Sequence, residues 1–436
     1  MPAALAVLRL QTLVDASINR LMAVLRSRST ARLQLSAGTV DLLLAVLAVT
    51  VLGLAVLLTP AFTDYEAEAE PAIQALVRGD LMDGLRLLPI YAGSVLAIAP
   101  FGAIAQLLGG GDLAIFRAVA VPGAAGVAVL AGLAGRWLRE AGQGRWTQLA
   151  GVGALALSPC VAMAWGFGHV EEPLVASVAV GGVIFAARDD DRGALIGGVL
   201  LGLAVAGKLW AVVLVPVAIA AAPSRRTAAI VVASAAVAGA LLLAPYALTR
   251  LDHLTGVAGT TGEIFSRGNF WWFFGAVNPT YAPDALTQQA FTTANSARLP
   301  PDFIASYARG LIVGVAVALS AWWAVVDRRV GPQRDAQARL VSILWLAAAV
   351  LWWRALLDPW FQPYYLTAAL MAVILADARA GRRPVLGLVA WAAFWLLHGR
   401  NPADLGLGAD GASALSLIWT VPVGILLTRR ALNRHA

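Results

Sequence analysis

Four carboxylates fall within the run Asp64-Tyr65-Glu66-Ala67-Glu68-Ala69-Glu70, directly after the first long hydrophobic segment, 40–62. Each would cost roughly 2.5–3.5 kcal/mol at the centre of a bilayer, so the run belongs at a water boundary. A carboxylate there can take a proton from a hydroxyl as a general base. Asp64 leads the set for that role, with Glu66 and Glu68 as alternatives, and Tyr65, Glu66 and Glu68 would line a substrate site. A second charged position stands out by its rarity: of the 32 Lys and Arg positions only 208 is Lys. A flexible point charge in an apolar stretch marks a site for an anion, phosphate first. The structural alternative is a lysine that snorkels to the interface or pairs with a carboxylate.

Two further stretches offer polar chemistry. In Gly166-Phe167-Gly168-His169-Val170-Glu171-Glu172-Pro173, the proline reads as the first turn of a helix with Glu172 as its cap, which leaves His169 and Glu171 for binding. The His-x-Glu spacing is too short to specify a metal site. In the run from Arg354 to Tyr365, Arg354 and Asp358 share a helix face at i,i+4, and Gln362, Tyr364 and Tyr365 follow. Arg354 could join Lys208 on a phosphate while the tyrosines stack on a sugar ring; the structural reading is an ion pair within an interfacial aromatic belt. His398 and Arg400 repeat that offer more weakly.

The elements that position these residues are membrane segments. With 60% hydrophobic and 13% charged residues among 436, and 15 Trp, the composition calls for a bilayer as solvent. A net charge of +7 would point to nucleic acid in a soluble domain, but here the arginines cluster between apolar segments and mark cytoplasmic loops, so no nucleic-acid partner follows. Cys160 stands alone, which excludes a disulfide framework and a thiolate metal site. Residues 1–37 carry Arg9, Arg20, Arg26, Arg28 and Arg32 among apolar residues, without a cleavage signature, and read as a cytoplasmic amphipathic lead to a single transmembrane domain, 38–436.

Sidedness decides two ambiguous segments. Segment 87–107 contains Pro89, Gly93 and Pro100 and is followed by Gly109-Gly110-Gly111; if it crossed, Arg136, Arg139 and Arg145 would lie outside. It is read as a juxtamembrane helix within a first external loop, 63–112. In that loop Pro71 opens a short interfacial helix with Glu70 as its cap. Segment 194–222 has 29 residues, roughly 43 Å of helix against a core of about 30 Å, so it must break near Gly207 into two antiparallel limbs with Lys208 at the tip. The expectation is an all-α polytopic bundle of about twelve membrane segments, both termini cytoplasmic, with a long external loop at 250–305 that has no core of its own. A broken segment at membrane depth is tolerated where it lines a polar cavity, which already implies a site.

The order of these motifs resembles the GT-C class of integral-membrane glycosyltransferases: an acidic residue after the first span, juxtamembrane helices, a Gly-His-x-Glu loop, a Gly-Leu-Ala-x-x-x-Lys hairpin from Gly202 to Lys208, and the run from Asp358 to Leu366. Within the class it is similar to the bacterial polyprenyl-phosphate-sugar-dependent families, mannosyl- and arabinosyltransferases among them. The likeness covers most of 40–380; its departure is a run of four carboxylates where the pattern has a pair, so it does not choose among them.

The resemblance implies transfer of a monosaccharide from a polyprenyl-phosphate donor to a hydroxyl of a cell-envelope glycan or glycolipid, on the outer face of the plasma membrane, with inversion. No Gly-rich phosphate loop follows a strand, which disfavours a nucleotide-sugar. A divalent metal could sit among the carboxylates, which do not themselves specify one. The competing readings are a transporter or lipid flippase, which would carry inverted repeats and charge at the bilayer midplane, and a non-catalytic scaffold. If the transferase reading holds, Asp64, His169, Lys208 and Asp358 should converge on one outward-facing cavity, and a Lys208→Met chain should fold normally while losing donor binding.

Overall fold

The computed structural model describes residues 37–58, 64–250, 264, 270–277, 298–330, 335–398 and 409–433. Nearly all of the lead expected over 1–37, the end of segment 40–62, most of loop 250–305 and residues 399–408 with Arg400 lie outside these residues, as does the side chain of His398. Residues Asp41–Ala436 form one unit with a common core; of the other unit, Met1–Val40, only the start of the first helix is described.

Sixteen helices carry the described fold: α1 (Ala37–Leu57), α2 (Glu70–Val77), α3 (Leu81–Arg86), α4 (Ala92–Leu107), α5 (Asp112–Glu140), α6 (Arg145–Ala156), α7 (Pro159–Gly166), α8 (Glu172–Ala186), α9 (Asp191–Gly207), α10 (Leu214–Ala221), α11 (Arg225–Thr249), α12 (Asp302–Val330), α13 (Ala336–Leu357), α14 (Thr367–Arg379), α15 (Val385–His398) and α16 (Ala409–Leu432). The strands among the described residues are two short ones, β1 (Ala276–Val277) and β2 (Arg298–Leu299), paired antiparallel. Seven helical stretches are long and apolar enough to cross a membrane: α1, α5, α6 with α7, α11, α12, α13 and Ser413–Leu432. The chain is therefore an all-α, multi-pass membrane protein. Of the expected twelve segments the rest are too short to qualify by length and composition; α8, at 15 residues, spans only about 22 Å.

Glycine contacts fix helix directions. Gly198 lies against Val231 and Ser234, and Gly202 against Ala235 and Gly239, so α9 and α11 run parallel; a Cβ on Gly202 would come within 2.3 Å of the Ala235 carbonyl oxygen. Parallel neighbours need a return limb between them. The chain supplies it by leaving the helix at Lys208 (φ −151, ψ 121) and passing through a 3₁₀ turn, Leu209–Val213, into α10. Arg226 on α11 pairs with Asp191 on α9 at 2.7 Å, which brings the two ends of the hairpin back together. The break expected near Gly207 is thus present, one residue on, at Lys208.

Two ends of the bundle result. At one, the fully buried Asp41 accepts hydrogen bonds from Arg139 and from Arg145 (2.8 Å), and Asp327–Arg339 and Asp377–Arg430 pairs stand at the same end. At the other lie the acidic run, the His169 loop and the Lys208 tip. Helix α4, 16 residues long, packs at this second end: Gly93 abuts Ala206, and Gly102 abuts Ile115 and Val119. Leu107 at its end and Leu108 just beyond it are exposed. One local expectation is corrected. Glu70 does not cap α2: the chain enters from a π-turn over Tyr65–Ala69, and the Glu70 N–H bonds to the Tyr65 carbonyl, so no side-chain cap is needed. The stretch Arg145–Gly166 is long and apolar enough to cross as one, with a break at Leu157-Ser158, ahead of Pro159, between α6 and α7.

Candidate functional site

Three turns meet at the second end. Gly168 has φ +88, where a side chain is strained, and a Cβ there would lie 2.6 Å from the Tyr65 backbone nitrogen. Only glycine lets the His169 loop press against the π-turn. As a result His169 Nε2 reaches Asp64 Oδ2 at 3.2 Å, and His169 Nδ1 reaches Glu171 Oε1 at 3.0 Å. The same Glu171 oxygen accepts from Lys208 Nζ at 2.8 Å, and Glu172 Oε2 stands 3.7 Å from that nitrogen. Lys208 is held in place because Ser94 Oγ at the start of α4 donates to the Gly207 carbonyl at 3.1 Å.

Glu172 is a second correction to the sequence reading. The N-cap position of α8 is Glu171, neither carboxylate caps, and both turn towards Lys208. With Pro173 in the first turn a missing N–H reduces the need for a cap, which frees both carboxylates for the lysine. Burial rises along the chain of contacts: the side chains of Asp64, His169 and Glu171 are 43%, 9% and 1% exposed. Asp64 is therefore the member of this relay that meets water.

Charge follows from these contacts. Burial and the Lys208 charge oppose protonation of His169, but the Glu171 carboxylate and the hydrogen bonds to Asp64 and Glu171 outweigh them and raise its pKa to about 9. Burial pushes the Glu171 carboxyl up, yet Lys208 and His169 hold it well below the usual range, at about 2. An imidazolium then donates from both nitrogens, to Asp64 and to Glu171. Because the folded pKa of His169 lies above its ordinary 6.5, its stabilising contribution is whole below pH 6.5 and is lost as pH rises through 9. The melting temperature of wild type should exceed that of His169→Gln by a margin that is constant at low pH and shrinks through this window. A margin independent of pH would mean that His169 is neutral.

A second cluster adjoins the first. Arg354 Nη2 pairs with Asp358 Oδ2 at 3.1 Å, and the guanidinium lies over the rings of Tyr365 (4.3 Å) and Trp210 (5.4 Å). Trp210 Nε1 in turn donates to Glu172 Oε2 at 3.4 Å. Tyr364 packs on His169 with ring centres 5.0 Å apart. Asp64, His169, Glu171, Lys208, Arg354, Asp358 and Tyr364 are thus brought together. Glu68 joins through Tyr91, whose hydroxyl donates to its carboxylate at 2.7 Å while the ring lies 4.3 Å under Lys208 Nζ. Tyr65 does not: its ring is buried edge-on against Phe116 at 4.8 Å, so its work is packing. Glu66 is exposed and contacts none of the cluster, and Gln362 gives its carbonyl to the Tyr365 N–H.

Sequence reasoning missed Tyr91, Trp210 and the role of Glu172. The one available signal was the adjacency of two glutamates to a single unpaired lysine elsewhere in the chain. For a metal, no group of three or more His, Cys, Asp or Glu is placed to hold an ion among the described residues, and a doubly donating His169 offers no lone pair. The residues present do not fit the divalent ion that the acidic run left open. No protein-family model matches the chain, and no curated protein matches it.

Proposed function

We propose that this protein is a membrane glycosyltransferase that moves a monosaccharide from a polyprenyl-phosphate donor to a hydroxyl of a cell-envelope glycan or glycolipid. One observation carries the reading: a water-accessible carboxylate, Asp64, and a buried cation, Lys208, are linked through His169 and Glu171 at one end of the bundle. Base and phosphate ligand are the two groups that this transfer needs close together. The acceptor oxygen forms a bond to the anomeric carbon as its proton passes to Asp64; the bond from that carbon to the phosphate oxygen breaks, and the lipid phosphate leaves with the bonding pair. Lys208 meets the charge that grows on the leaving phosphate. It has three N–H donors, of which Glu171 takes one at 2.8 Å, so a phosphate oxygen can be a further partner. Charge gathered at the two ends of the bundle, rather than at its middle, favours this over a transporter.

The same reading places the site on the outer face of the plasma membrane, with twelve membrane segments and both termini cytoplasmic. Gly111 and Gly144 flank α5 in open space, and the native Cys160 is buried, so single cysteines at those glycines report sidedness cleanly. A membrane-impermeant maleimide should label Gly111→Cys in intact cells and Gly144→Cys only after permeabilisation. The reverse pattern would put the site in the cytoplasm. The activity itself is tested by incubating purified protein with polyprenyl-phosphate sugars and hydroxyl acceptors, and following free polyprenyl phosphate together with glycosylated product. Neither appearing with any mannosyl, glucosyl or arabinosyl donor would overturn the proposal.

A further inference from the structure

Two polar atoms beside the relay are buried without a hydrogen-bond partner, one a donor and one an acceptor: Arg354 Nη1 and Glu172 Oε1. Arg354 is 7% exposed and Glu172 0%. Their other halves are satisfied, Arg354 by Asp358 at 3.1 Å and Glu172 by Trp210 at 3.4 Å, with Lys208 at 3.7 Å. An unpaired buried charged group is costly, and here two of opposite hydrogen-bonding sense are joined through one residue, Trp210, which donates to Glu172 and offers its ring to Arg354. A phosphate would satisfy only one of them, because its oxygens accept from Arg354 but are repelled by the Glu172 carboxylate. Hydroxyl groups satisfy both, accepting from Nη1 and donating to Oε1. The rings of Trp210 and Tyr365 add the apolar faces on which a sugar ring packs.

We infer that Arg354 Nη1 and Glu172 Oε1, together with Trp210, form a subsite for ring hydroxyls of a monosaccharide. This rests on the proposed transfer from a lipid-borne sugar and deepens it. Lys208 then holds the phosphate, and Arg354, already neutralised by Asp358, reads the sugar rather than the phosphate. Specificity for the sugar would reside here, since a missing or inverted hydroxyl leaves a buried charge unpaired again.

The test compares binding of farnesyl phosphate, bare and carrying mannose, glucose or arabinose, to purified wild type, Glu172→Gln and Arg354→Lys. Arg354→Lys keeps a cation opposite Asp358 but removes the planar fork. Wild type should prefer one glycosylated lipid over the bare one by roughly 10–100-fold, the worth of hydrogen bonds to charged groups. Each variant should lose most of that preference while Arg354→Lys still binds the bare lipid as wild type does. Melting temperatures establish that each variant is folded, and Glu172→Gln serves if Arg354→Lys is not. A preference that survives in both folded variants means that a trapped water links the two atoms, and overturns the subsite. So does a loss of bare-lipid binding in Arg354→Lys with the sugar preference intact, which would return Arg354 to the phosphate. Wild type binding the bare and glycosylated lipids equally removes the subsite alone; wild type binding neither removes the proposed function with it.

Discussion

Replacing Asp64 by Asn should lower turnover by roughly 10²–10⁴, the usual worth of a general base, with little change in donor affinity. The substitution is close to isosteric, and its carbonyl oxygen can still accept from His169 Nε2, which stands 3.2 Å from the present carboxylate. What disappears is the capacity to take a proton at the one position of the relay in contact with water. His169 would be a poor substitute, because the Glu171 carboxylate, the main group that favours its protonated form, remains on its other nitrogen. Measured turnover of lipid-linked sugar at saturating donor is the readout. Wild-type turnover in Asp64→Asn, with turnover lost in Glu68→Gln, would move the base to Glu68, the carboxylate that Tyr91 holds at 2.7 Å.

Lys208→Met should destabilise the protein by about 3–5 kcal/mol, the penalty for removing one partner of a buried ion pair. This reverses the expectation that the variant folds normally, which considered the lysine alone. In the structure Lys208 neutralises Glu171 and Glu172, whose side chains are 1% and 0% exposed, and its loss would strand both. The expected observation is a marked fall in melting temperature in lipid nanodiscs, partly restored when Glu172→Gln is added to Lys208→Met because one of the stranded charges is then gone. Lys208→Arg should keep most of the stability but transfer sugar poorly, since a planar fork replaces a point charge in a confined tip. A Lys208→Met protein that melts with wild type would show that the two glutamates are compensated from elsewhere.

The hairpin at Lys208 was legible because a 29-residue segment, 194–222, is too long for one crossing. Segment 87–107 was legible as a short apolar helix rather than a full-length span, and α4 has 16 residues. Glu172 was hidden by Pro173, which makes the preceding residue read as a helix cap whatever its side chain does. Tyr91 and Trp210 left no trace because a chain with 15 Trp and 7 Tyr gives an isolated aromatic no distinguishing spacing. The π-turn over Tyr65–Ala69 was equally invisible: Glu68 lies towards the site and Glu66 outside it, where the alternation of Glu and Ala had left the two as equal alternatives to Asp64.

Helix α13 is 89% buried over its apolar window, although it is apolar enough to enter a membrane unaided. When it emerges, α14 and α16, which supply most of its cover, are still to be made, so its burial waits for them. By then residues up to Trp210 have been made, so Asp64, His169, Glu171, Glu172 and Lys208 can pair while the second half of the chain is still in the ribosome. Arg354 arrives later, on the last turn of α13, and meets Trp210 and Tyr365 only on docking. The relay is thus the older part of each newly made molecule, and the guanidinium beside it is the fastener that closes the two halves of the chain around the site.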